Sequence, residues 1–566
     1  MKKTLLIITL FFIATSLFSQ TVWNEVWNLK EAPFRPADSG SDYTKVVAGF
    51  DTDEDGWGEF ITGYTDFFSD SNYVFMYEAT GDNTYEVVWY WKMPAERNSY
   101  FGVTVGDADH NGNVEIIIGL PTIVSEGDPN PARVFTFEWN GVQGENKYGR
   151  ENGDGSFSST SETHFDIPDM TDWRPYSMTL EDIDKDGVNE LVVGVRAGGR
   201  GREVLVASVV GGDLSAFGQW TTEYSYQYAE GGSNYCTVTG DLDNDGNTDI
   251  IELVWNMYTI RFFEVTGPDT YEYQNGLEKI FSPVDHGSVD GVCIVDVNGD
   301  GKNEMLHAST DAETIYLIEN VTDLAAITAD DIVEIYHPPV NTRPNGTLTD
   351  GGMRRMVAGD PDQDGKLNLL IAGGHRGQVL DLEYKGEGDL ADSTSWELSI
   401  AYDCFAQPAI EIGADSASIL TPRIYYGDLA DDMDGDGKSE FVLVNYSTDK
   451  EVWENDIYIA IVEADQATSV EPTDKLIPET LELSQNYPNP FNPATKINFA
   501  VPENSGHVKL AVYDILGRVI TTLVDEELSS GNYSVDFDAS NLPSGIYMYR
   551  LSSGSNTQTM KMILQK

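Results

Sequence analysis

The chain has 566 residues and a formal charge of −60, from 94 acidic and 34 basic side chains. So acidic a polypeptide repels nucleic acid and anionic membrane surfaces and invites divalent cations. Apolar residues at 40% and aromatics at 11% permit a large core and exclude general disorder, and three cysteines (Cys236, Cys293, Cys404) cannot build a disulfide framework.

The first element in chain order is an address. Lys2 and Lys3 precede a mostly apolar run from Leu5 to Phe18, with small residues at its exit. This pattern predicts a secretory signal peptide over residues 1–20. The apolar run is about 14 residues, against roughly 20 needed to span a bilayer, so a membrane anchor is the weaker reading. No other segment is apolar enough to cross, so the mature chain is expected to lack a transmembrane segment.

Residues 21–462 are dominated by one recurring loop. Its copies begin at Asp51 (DTDEDGWGE), Asp107 (DADHNGNVE), Asp182 (DIDKDGVNE), Asp241 (DLDNDGNTD), Asp296 (DVNGDGKNE), Asp360 (DPDQDGKLN) and Asp432 (DMDGDGKSE). The glycine common to all seven recurs 55 to 75 residues apart, which signals a repeat architecture. Oxygens at positions 1, 3 and 5 fall on one side of a tight turn, glycine at position 6 allows a positive φ, position 7 can offer its carbonyl, and a carboxylate at position 9 closes the shell. That is a hard-oxygen set suited to Ca²⁺.

The expected ligands are therefore Asp51, Asp53, Asp55 and Glu59 in the first loop, and Asp107, Asp109, Asn111 and Glu115 in the second. The third offers Asp182, Asp184, Asp186 and Glu190; the fourth Asp241, Asp243, Asp245 and Asp249. The fifth offers Asp296, Asn298, Asp300 and Glu304, the sixth Asp360, Asp362, Asp364 and Asn368, and the seventh Asp432, Asp434, Asp436 and Glu440. Up to seven Ca²⁺ are expected. An EF-hand carries its last ligand at position 12 between helices; here it stands at position 9 between β-like runs.

Each loop is followed by a strand, a third strand, a polar hairpin and a fourth strand, as in EFITGY, YVFMYEAT and YEVVWYWK after the first copy. Four antiparallel strands taken seven times predict an all-β, seven-bladed β-propeller. The last repeat lacks a strand. Within residues 21–30, Trp23 to Leu29 resembles the fourth strand of the first repeat and is expected to complete the seventh blade; a free N-terminal strand or an eighth partial blade is the alternative. The loops and their flanks resemble the FG-GAP/VCBS repeats of integrin α-subunit propellers and bacterial surface proteins. The resemblance rests on the metal loops, because the Phe-Gly…Gly-Ala-Pro half is poorly preserved. It implies calcium binding and commonly adhesion, and the family also occurs in polysaccharide lyases and lectins.

Strand parity puts the metal loops and the three-to-four hairpins at one end of the blades, and the two-to-three and four-to-one connections at the other. The arginines fall mostly before strand one or in those latter connections, Arg150 and Arg202 among them. With neighbouring aromatics and histidines they suggest a surface for a glycan or acidic ligand, carried by Tyr100, Arg174, Tyr176, Tyr235, His286, Arg354, Arg355 and Arg423. No HExxH, GxSxG, P-loop or dinucleotide motif appears, and no catalytic residue is assigned. The reading is a binding or adhesion module for glycan or protein ligands. The alternative is a calcium-dependent polysaccharide lyase, for which Arg354, Arg355 and His286 could serve.

Residues 463–480 are polar and non-periodic, which predicts a linker. Residues 481–566 alternate as strands (KINFAV, HVKLAVYDI, GNYSVDFDA, GIYMYRLSS, TMKMILQ) and predict a small Ig-like β-sandwich. Asn486 to Pro493 (NYPNPFNP), Tyr513 to Arg518 (YDILGR), Leu542 to Tyr547 (LPSGIY) and the tail Met560 to Lys566 make this segment resemble the type IX secretion sorting domain of Bacteroidetes-like bacteria. The resemblance implies the type IX machinery as a partner, export across the outer membrane, and a secreted or surface location.

Overall fold

A computed structural model describes the strands and tight turns of residues 21–465, residues 471–472, and most of 481–565. Residues 1–20, most of 31–40, the segments 95–100, 122–130, 197–201, 278–290, 337–352, 405–423 and 446–456, residues 473–480 and several shorter connections lie outside the described residues. The expected leader falls there, as do Tyr100, His286 and Arg423 of the expected ligand surface.

The chain is all-β and divides into two compact units, one of them Gln20–Asp465 and the other including Gln466–Lys566. The described residues of the first unit form seven four-stranded antiparallel sheets. Sheet one is Ser41–Phe50, Glu59–Asp66, Asn72–Gly81 and Thr84–Lys92. Sheet two is Gly102–Gly106, Glu115–Gly119, Val134–Glu138 and Ser161–Thr163; sheet three is Pro175–Glu181, Glu190–Val195, Arg202–Ser208 and Thr221–Tyr228. Sheet four is Ser233–Gly240, Asp249–Trp255, Thr259–Gly267 and Thr270–Leu277; sheet five is Val292–Val295, Glu304–Ala308, Ile315–Ile318 and Val333–Tyr336. Sheet six is Arg355–Gly359, Asn368–Gly374, Gln378–Tyr384 and Trp396–Asp403. Sheet seven is Ile424–Ala430, Glu440–Asn445 and Ile459–Ala464, joined at its outer edge by Trp23–Leu29, which pairs antiparallel with Ile459–Ala464.

Burial follows strand position. The second strands Glu115–Gly119, Glu190–Val195 and Glu440–Asn445 are buried at every residue, so they read as near-continuous apolar runs. The fourth strands Thr84–Lys92 and Thr221–Tyr228 mix exposed and buried positions, as outer strands must. Each sheet packs on the next, and the first strand of sheet seven packs on that of sheet one. Asp428 shows this linkage: it accepts from Arg355 of sheet six at 2.9 Å and from the Ala48 N–H of sheet one at 3.1 Å.

Two sequence expectations need correction. Arg150 lies on a small extra hairpin, Arg150–Glu151 with Phe157–Ser158, inserted between the third and fourth strands of sheet two. Arg202 opens the third strand of sheet three, paired with Tyr228. Neither belongs to the two-to-three or four-to-one connections, because sheet two carries an inserted hairpin between its third and fourth strands and the third strand of sheet three already begins at Arg202.

The second unit contains two four-stranded sheets whose apolar faces share one core, with Ile497, Phe499, Val535 and Phe537 from one sheet and Leu510, Val512, Tyr549 and Leu551 from the other. Val519–Glu527 is an additional strand that the sequence reading left as a connection. The Asn-Pro-Phe segment pins the last strand: Asn489 accepts from Ile563 N–H at 2.9 Å, and Phe491 exchanges backbone bonds with Ile563 and Gln565 at 3.0 Å each.

Candidate functional site

The seven loops share one internal hydrogen-bond scheme. In every copy the position-1 carboxylate accepts the N–H of the position-6 glycine, at 3.0 Å for Asp51 and Gly56 and 2.9 Å for Asp432 and Gly437. The position-5 side chain accepts the N–H of position 7, at 2.9 Å for Asp55 and Trp57. These turns force a left-handed backbone at glycine, with φ of +92° at Gly56 and +91° at Gly437. They force it at position 4 as well, where Glu54, His110, Lys185, Asn244, Gly299, Gln363 and Gly435 all have positive φ. Asn, His and Gly tolerate that conformation best.

Position 9 closes each loop from the second strand. Glu59 accepts the Thr52 N–H at 2.9 Å, Glu115 that of Ala108 at 2.7 Å, and Asp249 that of Leu242 at 2.8 Å. Glu190, Glu304 and Glu440 repeat the bond. The sixth loop differs for a physical reason: its position 2 is Pro361, which has no N–H to give, and its position 9 is Asn368, which turns its amide to Asp381 at 2.9 Å.

These groups are short of partners. Glu59, Glu115, Asp249 and Glu440 are buried, and each keeps one carboxylate oxygen without any hydrogen bond, as do Asp53 and Asp362 at position 3. Burial pushes Glu59, Glu115 and Glu440 up to about 9 and Glu190 and Asp249 up to about 8, with neighbouring carboxylates adding to the shift. Asp432, Asp434, Asp436 and Glu440 each offer an oxygen within 4.8 Å of the others, and Asp51, Asp53 and Asp55 do likewise. An all-oxygen donor set with buried, unpartnered oxygens fits a hard divalent cation.

The loops also join neighbouring sheets. The position-3 carboxylate accepts from the outer part of the next sheet: Asp53 from Asn146 Nδ2 at 3.0 Å, Asp109 from Leu214 N–H at 2.7 Å, and Asp184 from Asp269 N–H at 2.6 Å. Asp362 takes the Thr21 hydroxyl at 3.0 Å, and Asp434 takes the Asn83 N–H at 2.6 Å. Position 4 reaches the next loop in several copies. His110 Nε2 accepts the Asn189 N–H at 3.0 Å, Asn244 Oδ1 accepts that of Asn303 at 2.8 Å, and Gln363 donates to the Gly437 carbonyl at 3.0 Å. Gly58 donates to the Met433 carbonyl at 2.8 Å, an approach so close that a Cβ there would meet Met433 backbone at 2.8 Å.

An acidic residue that the sequence reading missed stands across from position 9 on the third strand. Glu59 pairs in register with Glu78, Glu115 with Glu138, Asp249 with Glu264, Asn368 with Glu383 and Glu440 with Glu463. The connection between the strands varies in length, so no fixed spacing marks this position. Its signal is an acid recurring at the end of the third strand.

At the opposite strand ends, several expected ligand residues converge. Lys45 of sheet one donates to the Tyr176 carbonyl of sheet three at 2.7 Å and lies 4.2 Å over the Tyr176 ring. The Tyr176 and Tyr426 hydroxyls meet at 2.6 Å, and Tyr235 packs edge-on to Tyr176 at 4.5 Å. Arg196 lies 4.7 Å over the Tyr235 ring. Burial raises the Tyr235 hydroxyl, while the charges of Arg196, Arg354 and Arg174 pull it the other way. Arg174, Tyr176, Tyr235 and Arg354 are thus brought together, with Lys45, Arg196 and Tyr426 added, but Tyr176 and Tyr235 are buried in the core, so their rings pack against neighbours and do not form the exposed surface expected from the sequence. Arg355 is instead paired with Asp428 across a sheet junction.

Comparison with known proteins identifies one segment. Residues 485–565 match the family described as the Secretion system C-terminal sorting domain. This tail is a type IX sorting domain; it marks the chain for secretion or cell-surface display in Bacteroidetes and for contact with the type IX machinery. No described helix is long and apolar enough to cross a membrane. No curated protein matches the chain. Among solved structures, a humanized mutant of Chaetomium thermophilum Polycomb Repressive Complex 2 is similar at 8% identity, over 64% of this chain and 71% of that one, with a TM-score of 0.38. The Pseudomonas aeruginosa PilY1 C-terminal domain is similar at 9% identity, over 77% of this chain and 91% of that one, with a TM-score of 0.28. At these scores the likeness fixes neither fold nor function.

Proposed function

We propose that residues 21–465 are a seven-bladed propeller of the FG-GAP/VCBS kind, held together by calcium in its loops. The exported chain then serves as an extracellular binding module, and its sorting tail is an Ig-like sandwich. The observation that carries this reading is the repeated pairing of two features at one place. In the first, second and seventh loops a position-3 carboxylate takes a donor from the next sheet, and a buried position-9 carboxylate beside it keeps an oxygen without a partner. In that reading the loop residues at positions 1, 3, 5 and 9 hold the ion, which supplies the positive charge that crowded buried carboxylates need. Lys45, Tyr176 and Tyr426 come from sheets one, three and seven and meet at one point, which supports a closed wheel of sheets rather than an open stack.

The ligand surface lies at the opposite strand ends. Arg174, Arg196 and Arg354 around Tyr235 favour an acidic ligand, such as an acidic glycan, because guanidinium pairs carboxylate in planar fashion. Calorimetric titration of the metal-stripped chain with CaCl₂ tests the metal reading. Saturable heat is expected, and no heat at millimolar calcium overturns it. Retention on acidic polysaccharide, compared with Arg174→Ala and Arg354→Ala, tests the surface. Retention lost in the variants is expected; retention unchanged overturns it.

A further inference from the structure

The third-strand acid across from position 9 is handled differently from sheet to sheet, and that difference points to an additional cation site. In sheet six, Lys366 at position 7 places its ammonium on Glu383 at 2.9 Å and also on Asp364 of the loop. In sheet seven, Lys438 does the same with Glu463 at 2.5 Å and Asp436 at 3.5 Å. In sheet two, the amides of Asn111 and Asn113 reach Glu138 at 3.0 and 3.4 Å. These sheets carry their own cation or amide donors against that carboxylate.

Among the described residues, sheet one places no such cation on this acid. Its position 7 is Trp57, and Glu78 receives Asn146 Nδ2 from sheet two at 2.6 Å, the same group that donates to Asp53. Asp53, Glu59 and Glu78 each offer a carboxylate oxygen within 4.8 Å of the others. Asp53 and Glu59 are fully buried, Glu78 is 8% exposed, and Asp53 Oδ1 and Glu59 Oε1 have no hydrogen-bond partner. Three buried carboxylates thus converge on one place with a single shared amide donor and two oxygens that no donor reaches, an all-oxygen set of the kind that holds a hard divalent cation. Asp53 belongs to this trio and also to the loop trio of Asp51, Asp53 and Asp55.

We propose that sheet one binds a second divalent cation, calcium, between Asp53, Glu59 and Glu78. This ion sits beside the loop ion, shares Asp53 and Glu59 with it and adds Glu78, at the junction that Asn146 closes from sheet two. It covers the third-strand acid that sheets six and seven cover with a lysine, from the side of positions 3 and 9, where those lysines bridge to position 5. The inference rests on the loop-calcium reading and adds one ion to it.

The test is the calcium content of the full mature chain after equilibrium dialysis, comparing the parent protein with Glu78→Gln, Glu78→Lys and Glu383→Gln. Glu78→Gln keeps an oxygen acceptor for Asn146, and Glu78→Lys supplies the ammonium seen in sheets six and seven. Both are expected to lose one equivalent, whereas Glu383→Gln, whose partner is already a lysine, loses none. Full calcium content in either folded Glu78 variant overturns the proposal and leaves the loop reading standing. A parent protein that binds no calcium overturns both.

Discussion

The backbone N–H of Asn83 donates to the Asp434 carboxylate at 2.6 Å, across 351 residues of chain. Asn83 turns the outer hairpin of sheet one, and Asp434 is the position-3 acid of the seventh loop. The bond therefore ties the last sheet to the first in the manner that Asp269 and Asp184 tie sheet four to sheet three.

Removing that acceptor should loosen the junction. Asp434→Ala leaves the Asn83 N–H without its partner, and a lost charged hydrogen bond in a part-buried setting costs about 1–3 kcal/mol. Scanning calorimetry in chelator should show a lower Tm for the alanine variant, with Asp434→Asn recovering part of the loss. An unshifted Asp434→Ala melt would mean the junction is held by other contacts.

The chelated protein should be less stable at higher pH. Glu59, Glu115 and Glu440 have ordinary values near 4.5 but are pushed up to about 9 by burial, so the folded state holds protons that the unfolded state releases. Their contribution is complete below pH 4.5, declines as pH rises and is lost by about pH 9. Urea midpoints in EDTA should fall across that window. Saturating calcium should flatten the trend, because the ion replaces those protons. A midpoint that rises with pH in EDTA would contradict the assignment.

Sheet four contains a buried pair whose halves depend on each other. Arg261 lies 3.8 Å over the Tyr228 ring and bonds Glu252 at 3.0 Å, with Glu252 fully buried. Arg261→Met removes the only charge paired with that carboxylate among the described residues, leaving it the Tyr228 hydroxyl alone, and should cost about 3–5 kcal/mol. Adding Glu252→Gln should restore a large part, and a double-mutant cycle checks it. Equal stability of the single and double variants would show that the charge was not the issue.

Gly187 tests the turn itself. Its φ is +91° and an added Cβ would meet nothing within 4 Å, so Gly187→Ala pays only for the left-handed backbone. About 1–2 kcal/mol of destabilisation is expected from that conformation, read as a lower denaturation midpoint. No change would mean the loop relaxes into another turn.

Much of this was legible in the chain. The seven DxDxDG-type loops, the four-strand rhythm and the sorting tail show directly, because glycine at position 6 and Asp, Glu or Asn at 1, 3, 5 and 9 stand at constant spacing. What stayed hidden depends on contacts between segments separated by variable lengths. Glu78 and Glu463 face Glu59 and Glu440 only after the second and third strands pair. His110 is exposed, in a left-handed backbone, and accepts from Asn189 of the next loop, a contact that no spacing marks. Arg355 read as a ligand residue, but its charge is committed to Asp428.

The central claim is that divalent ions in these loops hold the sheets together. Thermal melts of the purified mature chain in excess calcium and in excess EDTA test it most directly. The account predicts a first-unit transition that moves down substantially in EDTA and returns when calcium is restored. Superimposable melts in the two buffers would contradict it.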